Sequence, residues 1–459
     1  MRPSYGSPPP IRMRGALLFV LALSALACAR APEGDEREAR VPVAAAPEAA
    51  STARPRIGGG RATREPLGPP SARALVDAID ARVRGHLARA ERRADDWLSW
   101  QLVASELVDR AALSGDIEDL SRASHAVDRA AVIAGSERWL ARARLEYAVH
   151  RLRAAESALD RAEAEAALMP SVRDDIDALR ADLAFHSGRY DEALARYDAR
   201  LARARDAATL VARAQYAWRT GDLAQADALL DEADARAASA VGAERAWLAL
   251  VRGTMELDLG RFEAASRTLA RGLEEVPEHP ALEELYARSL LARGLSEEAE
   301  RRYLELAGRT GAPEHYDALA LIERALGDSL AAEALSDLAR RGHEWRMSRL
   351  PEAAYGHALP HYLELEEDPS LAVEIARRNV EARPGGEARV SLARALLRAD
   401  ALEEASTEIE QVMQTPWRSV ELLVTRAELS EALGDVDGAE AAWAEAERLA
   451  PGARERARR

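Results

Sequence analysis

From residue 71 onward, apolar positions recur every three or four residues within short segments that are separated by glycine-containing or polar breaks. That spacing gathers the apolar side chains on one face of a helix and predicts amphipathic helices almost throughout, with no strands. The stretch FHSGRYDEALARY, Phe185 to Tyr197, shows the unit. One helix stops at Gly188, and the next carries Ala193 and Tyr197 one turn apart on a single face. A Gly or a polar substitute five residues ahead of such a position recurs at Gly115, His150, Gly188, Gly221, Gly260, Gly294, Gly327, Glu367, Asp400 and Gly434. Marks so regularly spaced, close to the period of the known helical repeats, mean stacked helix-turn-helix units.

Packing explains each residue type. Gly at the mark accepts the positive φ that ends a first helix, and Asp222, Ser296 or Asp435 nearby starts the second. Ala193, Ala226, Ala265, Ala299, Ala405 and Ala439 are small, so two antiparallel helices approach closely. Tyr197, Leu230, Leu269, Tyr303 and Trp443, one turn later, fill the groove against the next unit. Pro277 and Pro451 close their second helices. Three copies read ELDLGRFEAASRTLARGLEEVP, LLARGLSEEAERRYLEL and ALGDVDGAEAAWAEAERLAP. Together they resemble the tetratricopeptide repeat.

The resemblance covers Trp97 to Pro451 and implies an all-α fold, a right-handed α-solenoid of about ten helix-turn-helix repeats. Its departures are His150 and Asp400 in place of the turn Gly, Leu120 at the small position of the first unit, and Pro360 inside a first helix, where a kink or late start is expected. The longest intervals, from His150 to Gly188, from Gly221 to Gly260 and from Gly327 to Glu367, imply short insertions. Residues 71–94 form an expected N-terminal capping helix, 95–451 the array, and 452–459 a charged, solvated tail.

Composition narrows the chemistry. The chain has 459 residues, 48% hydrophobic, with 63 basic and 78 acidic residues and a net charge of -15. Every basic residue is Arg, so a Schiff-base lysine or a phosphate-loop lysine is excluded, and the Gly58 to Gly60 run is no phosphate loop. The negative field opposes nucleic-acid binding.

The N-terminus reads as an address. Gly15 to Ala29 is an uncharged run behind Arg12 and Arg14, shorter than the roughly 18 residues that a spanning helix needs, and it matches a signal-peptide core. Translation starts at Met1 or at Met13. The one cysteine, Cys28, follows Ala25-Leu26-Ala27 and resembles the lipobox of bacterial lipoproteins, which implies lipidation of Cys28 and a mature N-terminus there; Ala25 stands where Leu is commonest. Ala25 and Ala27 also suit plain secretory cleavage at the same bond. Residues 1–27 are thus an expected signal peptide and 28–70, with seven prolines, a lipidated tether. About forty such residues span on the order of 35 Å. With lipidation, Ala29 favours the outer membrane, facing the periplasm.

Catalytic constellations are absent from the sequence. There is no nucleophile elbow, and the single cysteine is spent at the N-terminus. His357 and His361 are four apart but flank Pro360 without a general-base Glu, and the segment from His343 to Trp345 lacks a second histidine, so no metal site, cofactor or small-molecule substrate is expected. A binding face is. Three residues before successive turn marks stand Tyr147, Phe185 and Trp218, with Arg144, Asp182 and Gln215 one turn earlier and Trp247 close by. Tetratricopeptide arrays bind extended peptides or partner helices along a concave groove, and aromatic anchors beside polar groups make interaction hot spots. A shift of one residue in register turns the same aromatics into inter-helix core. The resemblance therefore implies a non-catalytic interaction scaffold anchored at the cell envelope that binds a partner peptide or helix and assists assembly of a complex; the alternatives are a self-associating spacer and a secreted binding protein.

Overall fold

The computed structural model describes residues 69–136, 138–165, 169–239, 242–366 and 368–458. The leader, Cys28 and most of the tether lie outside them. The described residues form twenty-two α-helices and one 3-10 turn, with no strand. Helix α1 (Ala72–Arg92) begins at Ser71, whose side chain accepts from the Ala74 amide, and it precedes ten antiparallel pairs. These are α2 (Trp97–Ser114) with α3 (Glu118–Ala134), α4 (Trp139–Ala148) with α5 (Leu152–Glu163), and α6 (Pro170–His186) with α7 (Tyr190–Arg203). Next come α8 (Ala207–Arg219) with α9 (Leu223–Arg236), α10 (Gly242–Asp258) with α11 (Phe262–Glu275), and α12 (Pro280–Ala292) with α13 (Ser296–Thr310). The last four are α14 (Pro313–Leu326) with α15 (Ser329–Arg349), α16 (Pro351–Glu364) with α17 (Pro369–Ala382), α18 (Gly386–Arg398) with α19 (Leu402–Met413), and α20 (Val420–Leu433) with α21 (Val436–Leu449).

Each described turn mark falls between the two helices of a pair; Glu367 lies outside the described residues. At Gly188 and Gly221 the backbone has φ of 77° and 83°, and the following amide reaches back five residues, Arg189 to the Ala184 carbonyl at 2.8 Å and Asp222 to the Ala217 carbonyl at 2.9 Å. This is the Schellman termination. His150 and Asp400 adopt the same left-handed conformation at φ 62° and 57°, with Arg151 bonded to Glu146 and Ala401 to Leu396. The motif survives the loss of glycine because the next amide still satisfies an orphan helix carbonyl. The small positions Ala193, Ala226, Ala265, Ala299 and Ala405 are fully buried, and Tyr197, Leu230, Leu269, Tyr303 and Trp443 pack beside them in the core.

The longer intervals have separate causes. A connection outside regular helix separates α5 from α6, the 3-10 turn Ala237–Ser239 precedes α10, and α15 extends to 21 residues. Helix α16 runs from Pro351 through Pro360 to Glu364; it neither starts late nor breaks at the proline. The C-terminal segment is not a solvated tail. It forms α22 (Ala453–Arg458), Arg454 pairs with Glu440 at 2.6 Å, and the Arg456 guanidinium lies 5.6 Å from the centre of the Phe262 ring.

That last contact belongs to a series. An added Cβ at Gly188 would meet Pro384, one at Gly221 would meet Arg418, and one at Gly260 would meet Arg456, nearly the same offset along the sequence each time and somewhat under half the chain length. The solenoid comes round on itself, so the turns of early pairs abut the loops of late ones. Backbone joins backbone there, from the Arg418 amide to the Arg219 carbonyl at 2.7 Å and from the Ala72 amide to the Pro277 carbonyl at 2.8 Å. The tightest point is Gly386, whose amide donates to the Tyr190 hydroxyl at 2.7 Å. A Cβ on Gly386 would lie 2.5 Å from the Trp417 ring, so only glycine fits. Tyr190→Phe leaves that buried amide unsatisfied. It should lower the local opening free energy of the start of α18, read by hydrogen exchange, by about 1–3 kcal/mol; unchanged protection there would show that the contact does not hold the turns together.

Candidate functional site

The aromatics expected to line a groove lie in the core. Tyr147, Phe185 and Trp218 are 2%, 7% and 3% exposed, which corrects the expectation of an open partner-binding surface at these positions. Phe185 has ring neighbours at 5.7 Å (Tyr190), 6.0 Å (Tyr216) and 5.8 Å (Trp417). Tyr190 and Tyr216 flank it within the early pairs, and Trp417 arrives from the loop before α20. For Phe185 the closure just described lays the Trp417 loop over the end of α6; Tyr147 packs among side chains of α4, α5 and α6, and Trp218 mainly among those of α8, α9 and α10. The polar companions are half-buried. Asp182 accepts from the Tyr197 hydroxyl at 2.8 Å, and burial pushes its carboxyl up to about 6 against that hydrogen bond and Arg200. Arg144 pairs with Asp175 at 2.7 Å, and Gln215 is half-buried.

An internal cavity of about 390 Å³ remains open to a ligand. Its apolar wall comes from α1, α2, α10, α12, α14 and α16, with Thr310 of α13 and Arg346 of α15 adding polar groups, and its apolar lining includes Leu75, Ile79, Leu113, Leu250, Ala318 and Leu321. Trp247 also lines it, and its buried indole N–H has no hydrogen-bond partner among the described residues. Cavities of this kind, mostly apolar with a few convergent polar groups, are where proteins take ligands.

The polar lining falls into two groups. On α1 and α2 stand Arg82 and Asp109. Burial, and then the neighbouring Glu106, push the Asp109 carboxyl up to about 7, against Arg82 and Arg144. On α14, α15 and α16 stand Glu314, Asp317, Arg346, His357 and His361. Glu314 accepts from Arg346 at 2.6 Å and lies 3.3 Å from His357 Nδ1. Burial raises its carboxyl, but Arg346 and His357 outweigh it and hold the group well below the usual range. His357 is pushed down to about 4 by burial.

The expected spacing of His357 and His361 does not make them a pair. His361 turns instead to Asp317, Nδ1 to Oδ1 at 2.7 Å, and Asp317 Oδ2 meets His343 Nε2 at 2.7 Å. The two imidazole rings are 5.3 Å apart. Thus the second histidine missing beside His343 in the sequence is supplied by another helix. One signal was present: four of the nine histidines fall between residues 315 and 361.

The helix pairs and their turns define a tetratricopeptide-like α-solenoid. No family model matches the chain, and no curated protein does. Among solved structures it is similar to a chain of the APC/C hetero-tetramer Cut9-Hcn1, at 13% identity over 84% of this chain and 86% of that one, with a TM-score of 0.36. It is similar to a tetratricopeptide repeat protein from Parabacteroides merdae at 19% identity over 55% of this chain and 97% of that one, TM-score 0.33. It is also similar to the Rap conjugation gene regulator of plasmid pLS20 in complex with the Phr* peptide, at 14% identity over 74% of this chain and 96% of that one, TM-score 0.40. The class assignment rests on the chain's own repeats.

Asp109 provides a pH test of the cavity wall. Its folded carboxyl titrates near 7 against an ordinary 3.8, so the stability contributed by the protonated form is complete below pH 4 and is lost as pH rises through 7. Asp109→Asn should match the natural chain at pH 4 and exceed it by on the order of 2 kcal/mol at pH 8, measured by denaturant unfolding. Parallel pH profiles would mean that Asp109 ionises normally.

Proposed function

We propose that this chain is a non-catalytic interaction scaffold held at the cell envelope by lipid on Cys28, and that it seats an apolar segment of a partner protein in its internal cavity. The observation that carries the reading is the cavity itself. Six helices from distant repeats supply its apolar wall, on the inner side of an array whose resemblance implies partner binding on the concave face. The wall residues of α1 matter most for access, because α1 is the capping helix and Ala78 on it is both exposed and part of the lining. The tether joins the array at Ser71, beside Pro277, so a lipid at Cys28 would attach the array by that edge. Among the described residues no helix is long and apolar enough to cross a membrane, and the reading assigns attachment to the N-terminal segment alone.

Two measurements test the parts separately. Cys28→Ala should move the protein from the membrane to the soluble fraction; persistence in the membrane would remove the lipid anchor from the reading. A photocrosslinking residue at Ala78 should trap a partner that the same probe at the exposed outer position Val132 does not trap, and Leu250→Arg should abolish the Ala78 adduct at unchanged helicity. Equal adducts at both positions would place binding elsewhere.

A further inference from the structure

We propose that Asp317, His343 and His361 bind a divalent transition-metal ion of the zinc class, with the coordination position left by the protein facing the internal cavity. The site is independent of the scaffold reading and stands or falls on its own geometry.

One donor atom from each of the three residues lies within 4.8 Å of the others. They come from three successive helices, α14, α15 and α16, and both histidines are 1% exposed, so packing on all sides fixes the rings. Two imidazoles and a carboxylate suit zinc and its neighbours in the first transition row and discriminate against magnesium and calcium, which take all-oxygen shells. Three protein ligands with one exchangeable position is the arrangement of open zinc sites. A tetrahedral ion with bonds of roughly 2.0–2.1 Å sets its donors roughly 3.3–3.4 Å apart. The 2.7 Å contacts of Asp317 with each histidine must therefore open by roughly 0.6 Å, within the reach of side-chain rotation.

The surroundings supply what a metal-bound histidine needs. With Nδ1 of His361 on the ion, its Nε2–H points at Glu366 Oε1, 3.1 Å away, the outer carboxylate that orients such a ring and raises its basicity. Asp317 lies against both imidazoles at 2.7 Å, and His361 faces carboxylates from both nitrogens. His343 Nδ1 has no hydrogen-bond partner among the described residues. A divalent ion set among Asp317 and the two rings has its charge met by Asp317 and Glu366. Of the nearby cations, Arg346 is engaged with Glu314 at 2.6 Å, while Arg340, paired with Asp337 at 2.7 Å and Glu344 at 3.3 Å, also reaches Glu366 Oε1 at 3.7 Å. Asp317 and His361 both line the cavity, so ion and exchangeable ligand enter by the same route.

The test uses the untagged mature chain stripped with chelator and titrated with Zn(II) calorimetrically, and separately with Co(II) by visible absorption. The expected result is one ion per chain and an intense four- or five-coordinate cobalt spectrum. His343→Gln and His361→Gln should abolish both, Glu366→Gln should weaken binding roughly 10–100-fold, and His125→Gln, at an exposed position, should change nothing. If either histidine variant fails to fold by circular dichroism, the natural chain's cobalt spectrum and the Glu366→Gln shift decide. No stoichiometric binding by the natural chain, an octahedral cobalt spectrum, or binding that survives in both folded histidine variants overturns the site.

Discussion

The contact on which the structure depends is the seating of one part of the solenoid on another, early turns on late loops at a nearly constant offset along the sequence. A repeat array ordinarily touches only its neighbours, so its stability is a sum of local terms and its ends are free to fray. Here Phe185, Tyr190 and Trp417 pack edge-on and tilted against one another, and Gly386 closes against Tyr190, tying pairs that lie far apart in sequence. Arg219 shows what the junction demands. Its guanidinium lies 3.7 Å from the centre of the Trp218 ring and 5.5 Å from that of Trp417, with Asp258 at 3.2 Å and Glu387 at 3.8 Å. A planar cation that stacks and bonds at once serves all four neighbours, which the compact ammonium of lysine would not. Removing one member of a buried charge group costs about 3–5 kcal/mol, so the junction is specific as well as apolar.

The same closure gives the cavity. Walls drawn from α1 and α2 at one end of the chain and from α10 to α16 beyond its middle meet only because the array curves round. An open array would leave Leu75, Leu113 and Leu250 as part of an exposed groove. Together they wall a space in which burial raises the Asp109 carboxyl, while Arg346 and His357 hold that of Glu314 down.

The repeat was legible in the sequence because its determinants are local. Positive φ at the turn, a small residue five positions on and a large one a turn later are each fixed by contacts within a single helix pair, so spacing alone reports them. His150 and Asp400 were readable as turns for the same reason, since the five-residue back-bond that ends the first helix needs only a backbone amide. Groove and inter-helix core were both open to Tyr147, Phe185 and Trp218, and the choice between them was not legible. Their positions on the first helices were read correctly, but whether that face meets solvent or a late loop depends on how many pairs complete a turn, a sum of small inter-repeat angles that no local motif encodes.

The histidine cluster failed to show for a related reason. Ligand spacing within one helix is visible as a short motif, and His357 and His361 offered that spacing; the helix instead directs them to different acids, Glu314 and Asp317. The pairing that forms, His343 with His361 through Asp317, spans the turn between α15 and α16 and the pair packing of α14 with α15. A three-helix donor set of this kind is held more rigidly than one on a single helix, because rotating any one helix strains the other two. That rigidity suits a site whose ligands must keep their angles while one position exchanges, and it sits in the wall of the enclosed space, where an exchangeable ligand would have room.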